Sequence, residues 1–145
     1  MTLLESVKAY MTSYPNLTDL TSRPVMNVDK IDEKTVNYSI SPVPISPVLK
    51  EYINGDKQKA YQFLFLLRGS TDVLQEYIEN HSFYEKLSDW LEEQTENENF
   101  PTLSFDKTPE KIEALNIAYL SATDESGESA VYQITCQLTY RQKGE

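Results

Sequence analysis

Residues able to carry chemistry are few and scattered along this chain of 145 residues. His81 is the one histidine, and its place between two predicted helical stretches favours an isolated surface residue over a general base. Cys136 is the one cysteine, and its alternating apolar position is typical of a small buried hydrophobe rather than a nucleophile. One histidine and one cysteine can form neither a Cys/His zinc site nor an internal disulfide within a single chain.

Carboxylates are abundant, but none shows the D-x-D-x-D-G spacing of a calcium-binding loop. Neighbours such as Glu92 with Glu93, or Asp124 with Glu125, fit a solvated charged face better than an acid–base pair. The glycines stand apart from one another, so the sequence has no glycine-rich phosphate loop. The residues therefore predict no enzyme, no cofactor and no bound metal.

Composition predicts one folded domain over residues 1–145. Hydrophobic residues make up 39% and aromatic residues 11%, and disordered chains are poor in both. A chain of this length buries a sizeable core without disulfides or metals.

Charge and hydropathy argue against two classes of partner. Lys and Arg number 13 against 23 Asp and Glu, for a net charge of −10, which opposes tight nucleic-acid binding. The longest apolar run, Phe63 to Leu67, is too short to span a membrane. Met1 to Glu5 lacks the basic and apolar regions of a signal peptide.

Three segments carry helix signals. The first runs from Thr2 to Tyr14 and begins with a capping box formed by Thr2 and Glu5. The second is a short helix that Ser46 caps and Pro47 starts. The buried side of this short helix is predicted to contain its apolar residues, Leu49, Tyr52 and Ile53.

The third helical segment, Thr71 to Glu98, is predicted to break near Asn80. Its second part begins at another capping box, from Ser82 to Glu85. One side of this part carries an apolar stripe, predicted to be buried, that consists of Phe83, Tyr84, Leu87, Trp90 and Leu91.

Strand signals occur in the first half of the chain. Pro24 to Val28 is a short candidate, and Thr35 to Ser41 alternates between apolar and polar residues. Gln58 to Arg68 carries apolar residues on both faces, which predicts a central strand covered on each side, by helices or by another subunit.

Strand signals return near the end of the chain. Glu113 to Ser121 and Ser129 to Arg141 are predicted to form the arms of a β-hairpin, with the polar stretch Thr123 to Glu128 as its turn. Apolar and polar residues alternate along the second arm, which predicts a half-buried strand with a polar outer face.

Three stretches carry a resemblance to a known family, which covers most of the chain from about residue 35 onward. The resemblance consists of packing and turn patterns. The stretches are Ile45 to Gly55 followed by Gln62 to Phe65, Ser82 to Gln94, and Thr108 to Leu115 followed by Tyr132 to Tyr140. Together they resemble a family of short proteins encoded in the tail-morphogenesis regions of Gram-positive phages and prophages, called minor capsid or tail terminator proteins.

The resemblance implies an α+β, tail-terminator-like fold: a mixed, mainly antiparallel sheet with helices packed against it. It further implies a ring, usually of six copies, that caps the tail tube protein and offers a docking surface to the head–tail connector. The expected location is the virion tail or neck, after assembly in the host cytoplasm. The acidity acquires a meaning in such a ring, because a negative lumen repels DNA.

Two polar loops are predicted to form the interface, the bend from Pro42 to Pro47 and the turn from Thr123 to Glu128. Loops on a rigid scaffold commonly carry contacts, and prolines hold the bend extended before it binds. The predicted interface residues are Pro42, Pro44, Ile45, Asp124, Glu125, Gly127 and Glu128.

Other functions fit parts of the same sequence. A head-completion or minor capsid protein differs from a tail terminator only in its place in the particle. A small acyltransferase with a carboxylate base would reveal itself by binding a nucleotide or an acyl-coenzyme. A monomeric adaptor or inhibitor that mimics DNA through its acidic face would bind a DNA-processing enzyme.

Overall fold

The computed structural model describes residues 2–15, 26–28, 37–44, 47–70, 82–115, 119–123 and 129–144. Within these ranges the chain forms two helices and seven strands, and the fold class is α+β, as predicted. The elements are α1 (Leu3–Thr12), β1 (Met26–Val28), β2 (Asn37–Val43), β3 (Val48–Glu51), β4 (Lys57–Ser70), α2 (Ser82–Glu96), β5 (Lys107–Ala114), β6 (Tyr119–Thr123) and β7 (Ser129–Gln142).

The strands form one mixed, mainly antiparallel sheet in the order β1-β2-β4-β7-β5, with β3 also paired to β4 and β6 to β7. Only the β1–β2 pair is parallel among the described strands. The centre is the pair β4 and β7, two strands of 14 residues each that pair from Lys57 with Gln142 to Ser70 with Ser129. The predicted central position of Gln58 to Arg68 is therefore confirmed, but full cover is found only on the face that packs against the helices.

One face of the sheet carries the core, because alternate residues of each strand point to the same side. Phe63, Phe65 and Leu67 of β4 are fully buried there. Their buried neighbours in β7, α1 and α2 include Ile134, Cys136, Leu138, Val7, Met11, Leu87 and Leu91. Both helices thus cover this face of the sheet.

The opposite face is less apolar, and its burial departs from the prediction in both directions. Leu64 and Leu66 are only half-buried, but Thr139, predicted on the polar outer face of the last strand, is buried. Two polar side chains on this face bond to each other: Gln62 Nε2 donates to Gln137 Oε1 across the sheet at 2.9 Å. Mutual hydrogen bonds satisfy polar groups away from water.

The N-cap half of the predicted capping box at the start of α1 is confirmed, whereas the Glu5 carboxylate bonds to the Thr2 hydroxyl in place of the Thr2 backbone N–H. The Thr2 hydroxyl oxygen accepts a hydrogen bond from the Glu5 backbone N–H at 3.1 Å, and the hydroxyl donates to Glu5 Oε1 at 3.1 Å. The helix ends at Thr12, before the predicted Tyr14.

Helix α2 confirms the second part of the predicted long helix, while the first part and the break near Asn80 lie outside the described residues. Its carboxyl end closes in a Schellman motif, in which Asn99 N–H bonds to Gln94 O at 2.8 Å and Glu98 N–H to Thr95 O at 3.2 Å. Glu98 adopts a left-handed backbone with φ 55°, a conformation that favours glycine.

Trp90 is half-buried rather than fully buried. Its ring lies at the rim of the core, with centroid distances of 5.2 Å to Tyr10 and 5.0 Å to Tyr14. The Phe83 and Tyr84 side chains lie outside the described part of the structure.

The prediction of a short helix starting at Pro47 is wrong. Val48–Glu51 is the strand β3, which pairs with β4 beyond the end of β2, and Ala60 N–H donates to Pro47 O at 2.7 Å. Strand β2 pairs with β4 only as far as Gln62, so the first residues of β4, from Lys57, need another partner on that side. An extended Val48–Glu51 supplies the backbone groups that pair with them. Leu49 and Ile53, predicted to be buried, are therefore exposed.

The predicted hairpin is confirmed for β6 and β7, but its first arm is not one strand. The chain from Lys107 to Thr123 forms two strands, β5 and β6, that pair with successive parts of β7. The turn from Asp124 to Glu128 lies outside the described residues.

Candidate interface at the open edge of the sheet

The edge of the sheet at β5 is protected by α2. The Thr95 hydroxyl accepts a hydrogen bond from Ile112 N–H at 3.1 Å and donates to Ile112 O at 3.0 Å. A single side chain thus satisfies both backbone groups of a residue that is 1% exposed. Pro109 in the same strand has no N–H to offer. Covered backbone and proline are two ways in which edge strands avoid pairing with another chain.

The edge at β2 is protected differently. Strand β1 pairs with Tyr38 to Ile40, and beyond that point Pro42 and Pro44 lack backbone N–H donors. This portion is therefore a poor template for a further strand.

Strand β3 has no such protection among the described residues. Its outer side pairs with no described strand, and all four of its residues are exposed. We call Val48 to Ile53 the open edge. Val48 is 41% exposed, Leu49 52% and Ile53 fully exposed. Exposed apolar side chains beside strand backbone that no described strand pairs with are typical of an interaction site.

Phe105 adds a second fully exposed apolar side chain at the same end of the sheet. It lies two residues before Lys107, which is opposite Gln142, which in turn is opposite Lys57 at the start of β4. Strands β4 and β7 separate it from the open edge.

The turn from Tyr52 to Asp56 is held by a network built on Asp56. Tyr52 N–H donates to Asp56 O at 2.8 Å, and Gly55 supplies the positive φ of 95° that the turn requires. The Asp56 carboxylate accepts one hydrogen bond from Gly144 N–H and another from Arg141 Nε, each at 2.8 Å. These bonds, that from Gly144 first, lower the pKa of the Asp56 carboxyl below its ordinary value.

The end of β7 packs tightly against this turn. A Cβ atom on Gly144 would lie 2.5 Å from the carbonyl carbon of Gly55, so only glycine fits there. The Arg141 guanidinium lies 4.0 Å from the centre of the Tyr52 ring, a cation–π contact. Ile53 is thus presented to solvent by a turn fixed at both ends.

The surroundings of the open edge are basic, although the chain as a whole is acidic. Lys57 pairs with Glu51 at 3.6 Å, and Arg141 with Asp56 at 2.8 Å. Three more lysines, Lys50, Lys59 and Lys143, have no carboxylate partner within the described part of the chain. Lys50 lies in β3 itself, Lys59 is opposite Val48 in β4, and Lys143 follows the end of β7.

The residues considered first for chemistry occupy unfavourable places for it. Cys136 is fully buried, and burial raises the pKa of its thiol, so it is inert as a nucleophile. Glu92 and Glu93 are exposed on α2. Among the described residues, no group of three or more His, Cys, Asp or Glu side chains is placed to hold a metal ion. His81, Asp124 and Glu125 lie outside the described residues.

The interface residues predicted from sequence are only partly placed by the structure. Pro42 lies in β2 opposite Phe63, and Pro44 follows that strand; both are exposed. They lead directly towards the open edge. The remaining predicted residues lie outside the described residues: Ile45, Asp124, Glu125, Gly127 and Glu128.

The open edge itself was missed, although the sequence contains its signal. Asn54-Gly55 between two extended runs is a strong hairpin signal, and it matches the observed turn from β3 into β4. The Ser46-Pro47 pair resembles a helix start, so a helix was predicted where the strand β3 forms.

Comparison with known proteins adds no assignment. No protein-family model matches the chain, and no curated protein matches it significantly. The described helices include none that is long and apolar enough to cross a membrane.

Proposed function

We propose that this protein is a structural subunit of a tailed phage or prophage, which assembles with copies of itself into a ring that ends the tail tube and helps join it to the head. The phage setting rests on the resemblance of the three sequence stretches. The assembly role rests on one observation above all: the open edge is exposed, apolar and rigidly presented, while the β5 edge is covered.

Two further features support this role. The α+β fold, with a mixed, mainly antiparallel sheet and helices on one face, is the fold that the resemblance implies. The one thiol is sealed in the core and does not serve as a nucleophile.

Assembly in solution is the first test. Purified protein is examined by light scattering after size-exclusion chromatography and by negative-stain electron microscopy. The proposal predicts closed rings several times the 16.7 kDa of one chain. A monomer that binds a DNA-processing enzyme would instead favour the acidic adaptor, and a monomer that binds an acyl-coenzyme would favour the transferase.

A matched pair of variants places the contact. Ile53→Asp adds a charge at the open edge, where burying the isoleucine on assembly is worth about 1.5–3 kcal/mol. Ala9→Asp adds the same charge on the exposed side of α1. We expect Ile53→Asp to dissociate rings and Ala9→Asp to retain them; intact rings for both would exclude the open edge as a contact.

The tail role needs a test in the particle. Phage lacking the gene is complemented with each variant, and tail length and head attachment are measured by electron microscopy. We expect tails of abnormal length and separate heads with Ile53→Asp. Tails of normal length but lacking heads would favour the alternative of a head-completion or minor capsid protein.

A further inference from the structure

The acidic side chains of α2 form a stripe. Glu85, Asp89, Glu92 and Glu96 are all exposed, and their spacing places them within about 60° of one another around the helix axis. We call these four residues the acidic stripe. They point away from the buried residues Leu87 and Leu91 of the same helix.

This arrangement is unfavourable for an isolated helix. Glu85 with Asp89, and Glu92 with Glu96, are like charges four residues apart, which repel. The last turn contains no basic residue, and acids near a helix carboxyl end oppose the helix dipole. No ion pair joins the stripe to a basic side chain of the described residues. A cationic partner would remove this repulsion.

The chain itself carries a surface of the opposite charge. Lys50 lies in the open edge and Lys59 is opposite Val48 in β4, and neither has a carboxylate partner in the described part of the chain. The open edge also exposes Val48, Leu49 and Ile53, so it gains from burial as well as from charge pairing.

The two surfaces lie at opposite edges of the sheet. Strand β3 pairs with β4 on the side occupied by β2, whereas α2 packs on β5 beyond β7. A contact between different surfaces of identical copies is heterologous, and repeating it produces a ring when the rotation closes.

We propose that the open edge of one copy docks against the acidic stripe of the next copy, so that the ring is built from identical head-to-tail junctions. This inference rests on the proposed assembly role. The occupant of the open edge is a second copy, because the chain supplies its own complementary charge at the opposite edge.

Charge reversal at each surface tests the junction. The edge variant carries Lys50→Glu and Lys59→Glu, and the stripe variant carries Glu92→Lys and Glu96→Lys. Each variant alone brings like charges together, so we expect association to weaken by on the order of 100-fold. Lys8→Glu, on the exposed side of α1, changes the net charge in the same sense as the edge variant and should assemble like the wild type.

Mixing the two variants is the decisive measurement. Every junction in an alternating ring is then complementary, either native edge with native stripe or reversed edge with reversed stripe. We expect the mixture to recover rings of even number, which light scattering and electron microscopy detect. Rising salt should weaken wild-type rings, because ions screen exposed charges.

The outcomes separate this inference from the proposed function. A wild type that remains monomeric refutes the assembly role itself. Wild-type rings together with a stripe variant that assembles alone would overturn the head-to-tail junction and point to contacts between two open edges. Two variants that fail alone and are not restored by mixing would also overturn it, provided that circular dichroism shows both folded.

Discussion

Replacing Thr95 with valine removes the hydroxyl that closes the β5 edge while keeping the shape of the side chain. The hydroxyl makes two hydrogen bonds to the backbone of Ile112, at 3.0 and 3.1 Å, and Ile112 is 1% exposed. A typical hydrogen bond contributes about 0.5–1.5 kcal/mol, so losing both should cost about 1–3 kcal/mol. Valine and threonine have similar helix propensities, so the helix itself contributes little to the change.

Urea unfolding monitored by circular dichroism measures this cost. We expect the Thr95→Val midpoint to fall by roughly 1 M, given a urea dependence of about 1–3 kcal/mol/M for proteins of modest size. Thr95→Ser keeps the hydroxyl and serves as the control, with a smaller change expected. If the valine variant unfolds at the wild-type midpoint, the Thr95 bonds do not stabilise the β5 edge. The contrast between the covered β5 edge and the open edge at β3 then has no energetic basis.

Three further predictions concern single positions. Glu98→Gly relieves the left-handed backbone at the end of α2 and should raise the free energy of unfolding by about 0.5–1 kcal/mol. Glu93→Gly, at an exposed position inside the helix, should lower it by about 1 kcal/mol, and equal urea midpoints for the two variants would show that Glu98 is unstrained. Trp90→Ala should cost about 2–3 kcal/mol, below the value for a fully buried aromatic because Trp90 is only half-buried, and an unchanged urea midpoint would make Trp90 a surface residue. Because the pKa of Asp56 is lowered in the folded chain, its stabilising effect is complete above the ordinary value of 3.8 and is lost as pH falls through the lower folded pKa; an NMR titration of this carboxyl with a midpoint at or above 3.8 would contradict the Asp56 network.

Local patterns predicted the elements whose burial follows from their own periodicity. Alternation along β4 and β7 placed Phe63 and Ile134 on the core face, and the Thr2 capping box located the start of α1. These signals reside within a few residues of one another, so no distant contact is needed to read them.

The candidate interface could not be predicted from local patterns, because it is held by contacts between residues far apart in the sequence. Asp56 receives its hydrogen bonds from Arg141 and Gly144, and Thr95 meets Ile112 only after α2 packs on β5. The extended state of Val48–Glu51 likewise follows from the free backbone at the end of β4. Pairing over such distances overrides local propensity, which is why a helix start was predicted where a strand forms.

Mass in solution, measured by sedimentation on the wild type and on Ile53→Asp side by side, tests the central claim most directly. The account predicts a wild-type ring several times the 16.7 kDa chain mass and an Ile53→Asp protein that sediments as a folded monomer. A wild-type protein that remains a monomer at every concentration, or rings that persist unchanged in Ile53→Asp, would contradict it.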